Sequence, residues 1–197
     1  MGSLSGMNEL LARQAALQAE ATSILAELDL TGIGPRHLAG SYVSGLMVWP
    51  DLDVMVWVGP EFSPGDVLDL LRRFVERPDV TGFEYHDERG SRSPTATVRD
   101  ERYHVVISLA RGDRLWRIDL TLWLNDPHVN ITEWHESLRS TLSAEQRDAI
   151  LRIKDVWHRR PEYPDEIGGT DIYRAVLEGG VRTPSQFAEW LTAASGK

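Results

Sequence analysis

The sequence predicts an α+β protein, a β-sheet flanked by helices with a helical C-terminal part. Three observations lead there. Apolar or alternating runs of strand length fall between His37 and Leu124. Segments with helical periodicity open the chain and take over from Asn130 onward. Glycine and proline punctuate the joints between them, at Gly32-Ile33-Gly34-Pro35, Gly59-Pro60, Pro78 and Pro161.

Composition bounds the class. The chain has 197 residues, 42% hydrophobic and 26% charged, the profile of an ordinary globular protein. At this size about 70% of the unfolded surface is buried on folding. Cysteine is absent, which excludes disulfides, zinc–thiolate sites and thiol nucleophiles, and fits a cytoplasmic setting. The net charge of −9 argues against a long nucleic-acid partner. No apolar run reaches the length of a membrane span. The opening MGSLSGMNEL has neither a charged n-region nor an apolar h-region, so no signal peptide is expected.

In chain order, Asn8–Leu28 reads as an amphipathic helix, with Leu10, Leu17 and Ile24 on one stripe. His37-Leu38-Ala39 is a short strand entering a Gly40-Ser41 turn. Ser63-Pro64 opens a helix to about Glu76, with Val67, Leu68, Leu70, Leu71 and Phe74 inward. Its Arg72, Arg73 and Arg77 read as a solvated face. Thr81–His86 is a strand; Thr95–Val98 and Tyr103–Ala110 form a hairpin around Arg99-Asp100-Glu101-Arg102, with the acids of that tip facing solvent. Leu115–Leu124 carries the clearest alternation: Trp116, Ile118, Leu120, Leu122 and Leu124 line one face, and Arg117, Asp119 and Thr121 the other. Ser143-Ala144-Glu145-Gln146 is a capping box for a helix to about His158, with Ile150, Leu151, Ile153, Val156 and Trp157 apolar. A short helix follows over Asp171–Leu177. Thr183-Pro184-Ser185-Gln186 caps a last one that buries Phe187, Trp190 and Leu191. The expected domains are residues 1–127, the core with its N-terminal helix, and residues 128–197, the helical region.

The stretch GSYVSGLMVWPDLDVMVWV, from Gly40 to Val58, is the chemically loaded one. Asp51 and Asp53 fall on one side of the strand they open. Two carboxylates there are costly unless something positive sits between them, and a divalent cation with oxygen ligands is the usual remedy. Asp119 adds another acid at the centre of a later strand. Taken singly, Asp-x-Asp after proline reads as a turn, Gly-Ser says almost nothing, and Asp119 reads as a partner for Arg117 or a neighbouring strand's arginine.

Taken together, GSYVSGLMVWPDLDVMV and the downstream WRIDLTLW resemble the signature of the DNA-polymerase-β-like nucleotidyltransferase superfamily. The resemblance covers about His37 to Leu124 and is nearest in kind to small bacterial enzymes that modify aminoglycosides and lincosamides. It implies a nucleotidyltransferase-fold mixed β-sheet. It further implies that Asp51, Asp53 and Asp119 are catalytic and bind two Mg²⁺ ions, with Asp119 also helping to deprotonate the acceptor. Gly40 and Ser41 would hold the β- and γ-phosphates of an NTP, with ATP as the co-substrate, and Lys154 would reach the triphosphate. The implied partners are the NTP and a small-molecule acceptor whose hydroxyl takes the NMP, without a membrane. The alternatives are a toxin-like transferase acting on protein or RNA, and a non-catalytic nucleotide-binding module.

Lesser candidates are Arg147, seven residues before Lys154 on nearly the same helix face, Tyr173 and Asp171 on the nucleobase or acceptor side, and Trp49 at the border of a cleft. The six histidines lack metal-ligand spacing; His128 and His135 read as structural or surface residues.

Overall fold

A computed structural model describes residues 2–94, 101–125, 130–164 and 166–195. The helices are α1 (Gly2–Glu27), α2 (Gly40–Ser44), α3 (Pro64–Val75), α4 (Ile131–Thr141), α5 (Ala144–Trp157), α6 (Gly169–Leu177) and α7 (Pro184–Ser195). The strands are β1 (Arg36–Leu38), β2 (Asp51–Trp57), β3 (Val80–Asp87), β4 (Arg102–Arg111) and β5 (Arg114–Trp123). They form one five-stranded sheet in the order β1-β2-β5-β4-β3. β2 and β5 run parallel and the remaining pairs are antiparallel, so the sheet is mixed. The α+β class therefore holds.

The chain divides into two units: Met1–Glu20, Gly45–Trp49 and Ser137–Lys197 in the first, Ala21–Ser44 and Pro50–Glu136 in the second. The second holds the sheet. Its alternation follows the sequence closely. Leu52, Val54 and Val56 of β2, Tyr103, Val105, Ile107 and Leu109 of β4, and Trp116, Ile118, Leu120 and Leu122 of β5 are buried on one face. The register then places His104, Ser108, Arg117, Asp119, Thr121, Asp51 and Asp53 together on the opposite face. In α3, Ser63 and Asp66 form a reciprocal capping box behind Pro64. Val67, Leu70, Leu71 and Phe74 are buried, whereas Leu68 is 55% exposed and leaves the inward set.

The first unit is helical, around Leu10, Leu46, Val48, Leu138, Ile150, Ile153, Trp157, Ile172 and Phe187. Ser143 and Gln146 cap α5, and Thr183 and Gln186 start α7, by the same reciprocal device. Val156, expected to pack, is 41% exposed.

Two further details differ from the sequence reading. Gly40-Ser41 is not a bare turn: it is the start of the short helix α2. The strand beside β4 away from β5 is β3; the expected Thr95–Val98 arm, with Asp100 of its tip, lies outside the described residues, as does His128. Glu101 accepts a hydrogen bond from the Gly90 amide at 3.0 Å. Among the described residues, no helix is long and apolar enough to cross a membrane.

Candidate active site

β2 and β5 assemble the acids. Their parallel register makes Asp53 the cross-strand partner of Asp119 and Asp51 that of Arg117. Each of Asp51, Asp53 and Asp119 offers a carboxylate oxygen, and these atoms lie within 4.8 Å of one another. The donor set is all oxygen, anionic and half-buried. That chemistry suits a hard divalent cation such as Mg²⁺, and no softer ligand is present in the set.

Gly40 borders this cluster because β1 runs antiparallel to β2 and ends beside it, with the Ala39 amide donating to the Asp53 carbonyl at 3.4 Å. Gly40 has φ +66°, and a Cβ added there would lie 1.6 Å from Asp53 Oδ2. Only glycine leaves the carboxylate its place. Ser41, next in α2, is buried.

Asp119 is held from two sides. Arg117 Nε donates to Oδ2 at 3.0 Å and its Nη2 to Oδ1 at 3.1 Å. His104 Nε2 lies 2.9 Å from Oδ1, and its Nδ1 is 3.8 Å from Glu88 Oε1. Burial pushes the Asp119 carboxyl upward, but the His104 and Arg117 hydrogen bonds and charges outweigh it and hold the group below the usual carboxylate range. Burial likewise disfavours the Arg117 charge, and Asp119 and Asp51 more than restore it. The cluster is thus partly neutralised by an arginine.

His104 was not singled out from the sequence. The signal was available in the hairpin: pairing outward from Arg111 opposite Arg114 sets Val106 against Asp119 and His104 against Thr121, on the polar face.

The remaining candidates belong to the first unit. Lys154 is 1% exposed and its Nζ donates to the Leu46 carbonyl at 2.9 Å, with the Tyr173 hydroxyl at 3.4 Å. Arg147 Nη2 donates to Gln14 Oε1 at 3.4 Å. Asp171 caps α6 by accepting from the Gly168 amide at 2.9 Å, and pairs with Arg174. Trp49 packs edge-on to Tyr163, 6.2 Å between ring centroids. His135, in the sheet unit, is buried and meets Trp134 edge-on.

Solved structures share this fold. One is a cytoplasmic RNA terminal U-transferase, at 15% identity and TM-score 0.53 over 86% of this chain and 54% of that one. Another is the non-canonical poly(A) polymerase complex GLD-2–GLD-3, at 15% identity and TM-score 0.50 over 86% of this chain and 52% of that one. The chain spans about half the length of these structures. No family model matches the sequence, and no curated protein does. Sheet order and these likenesses show that the chain shares the fold of these solved structures.

Proposed function

We propose that the protein is a divalent-metal-dependent nucleotidyltransferase that moves an NMP from an NTP, with ATP as the first candidate, to an acceptor hydroxyl, releasing pyrophosphate. The observation that carries this is the convergence of the Asp51, Asp53 and Asp119 oxygens within 4.8 Å, on a fold whose solved examples include transferases of this class. Asp51, Asp53 and Asp119 would hold the cations. Divalent ions bound there supply charge stabilisation at the phosphate oxygens and lower the pKa of a hydroxyl beside them. Asp119 would help to deprotonate the attacking hydroxyl. Gly40 and Ser41 hold the β- and γ-phosphates. Lys154 is assigned to the triphosphate on the resemblance alone.

Two acceptor classes stand level. The net charge of −9 suits a small, cationic acceptor such as an aminoglycoside. The names of the fold's solved neighbours, an RNA terminal U-transferase and a poly(A) polymerase complex, favour the 3′ hydroxyl of an RNA. Incubation with Mg²⁺ and α-labelled NTPs separates them. Pyrophosphate release that depends on an aminoglycoside or lincosamide selects the first, and labelled RNA the second. Label on the protein selects the toxin-like class. NTP binding without turnover on any acceptor reduces the protein to a nucleotide-binding module and overturns the proposal.

A further inference from the structure

Arg117 stands out because it covers the third acid of the cluster. Its fork spans both oxygens of Asp119, at 3.0 and 3.1 Å, so the carboxylate meets a guanidinium edge rather than open space. Two sequence facts build this contact. Residues two apart on a strand share a face, so Arg117 reaches Asp119 along β5. The parallel register then sets Arg117 opposite Asp51, whose charge also attracts it. A cluster of acids at a half-buried strand mouth needs positive charge, and Arg117 provides it.

A cation that used the same carboxylate would need an oxygen lone pair and would place its charge beside the guanidinium. Two like charges a few ångströms apart in a partly desolvated site repel strongly. We propose that Arg117 is the resident counter-ion of Asp119 and that it is displaced when a divalent cation takes this ligand, so that arginine and metal compete for one carboxylate. This inference rests on the reading of Asp51, Asp53 and Asp119 as a metal site. It makes Arg117 a positioning residue that stabilises the metal-free cluster and opposes metal binding. By linkage, whatever removes Arg117 from Asp119 raises metal affinity by the same factor that metal lowers the arginine's hold.

The sign separates this role from simple scaffolding. If Arg117 only held Asp119 in its metal-binding pose, losing it would weaken the metal. Under the proposal, Arg117→Gln binds Mn²⁺ alone, without nucleotide, more tightly than wild type, by about tenfold, within the range common for coupled sites. The readout is electron paramagnetic resonance of free Mn²⁺, with Asp53→Asn as the site control. Arg117→Lys keeps one charge without the fork and should show a smaller gain of the same sign; it decides the matter if Arg117→Gln does not fold. Equal or weaker Mn²⁺ binding by the folded variant, with wild-type binding that is lost in Asp53→Asn, overturns the competition and leaves the metal site standing. Absence of Mn²⁺ binding in wild type and variants alike overturns the metal site itself, and the competition with it.

Discussion

Asp53 and Asp119 are direct cross-strand partners in the parallel pair β2–β5. A parallel register requires a long connection, and the chain between them contributes α3, β3 and β4. Two acids distant in sequence are thereby fixed on neighbouring strands rather than on a loop. Replacing either by Asn should abolish metal-dependent nucleotidyl transfer, by more than the about 10–100-fold typical of losing an outer-shell partner. Thermal unfolding in chelator should show the fold retained in Asp53→Asn, where the substitution relieves carboxylate repulsion, whereas Asp119→Asn takes the carboxylate from Arg117 and should be less stable. Turnover at wild-type level in Asp53→Asn would remove that residue from the site.

Gly40→Ala and Gly112→Ala separate backbone strain from collision. Both glycines have positive φ, +66° and +59°, but an added Cβ meets Asp53 Oδ2 at 1.6 Å in the first and nothing within 4 Å in the second. The left-handed conformation costs about 1–2 kcal/mol for an L-residue, so both variants should lose stability. Only Gly40→Ala should also lose Mn²⁺ affinity, since Asp53 must move. Equal effects of the two on metal binding would dismiss the contact.

Glu27, at the end of α1, is clamped by Arg111, with contacts of 3.0 and 2.6 Å, and by Arg77 at 3.3 Å. The Arg111 hydrogen bonds lead in lowering its carboxyl from an ordinary 4.5 to about 2, against a smaller opposing effect of burial. A depressed carboxyl favours folding where it is ionised. Its contribution is therefore complete above pH 4.5 and is lost as pH falls from there towards about 2. Glu27→Gln should flatten that part of the stability curve and leave the neutral-pH shape unchanged. Acid titration followed by circular dichroism checks this; an unchanged acid limb would show that the exposed network is screened.

Lys154→Met tests the triphosphate assignment. The substitution leaves the Leu46 carbonyl without its 2.9 Å donor, a cost of about 1–3 kcal/mol, and removes a buried charge, which offsets it. Stability should change little, while affinity for a fluorescent NTP analogue should fall. A marked loss of stability with unchanged nucleotide affinity would make Lys154 a support for the Gly45–Trp49 loop only.

Much of this site was legible in the residues because strand alternation is local. The strand expected over Leu115–Leu124 runs Arg114–Trp123, one residue earlier at each end, and the parity that buries Trp116 and Ile118 puts Asp119 on the polar face. Asp119 lies in the acid cluster and also pairs with Arg117. What escaped depends on contacts between distant segments. The reason for Gly40 is the position of Asp53 across β1 and β2, and Lys154 is hidden beneath a carbonyl of the Gly45–Trp49 loop. Leu68 misled because apolarity was read without the stripe: Val67, Leu70, Leu71 and Phe74 define the buried face, and Leu68 lies about 100° round from Val67.

Crystals grown with Mn²⁺ and a non-hydrolysable NTP give the most direct test of the metal-dependent reading. Anomalous scattering should place manganese about 2 Å from oxygens of Asp51, Asp53 and Asp119, with Arg117 moved off Asp119. A map with no anomalous peak at these carboxylates, or nucleotide bound elsewhere on the chain, would contradict it.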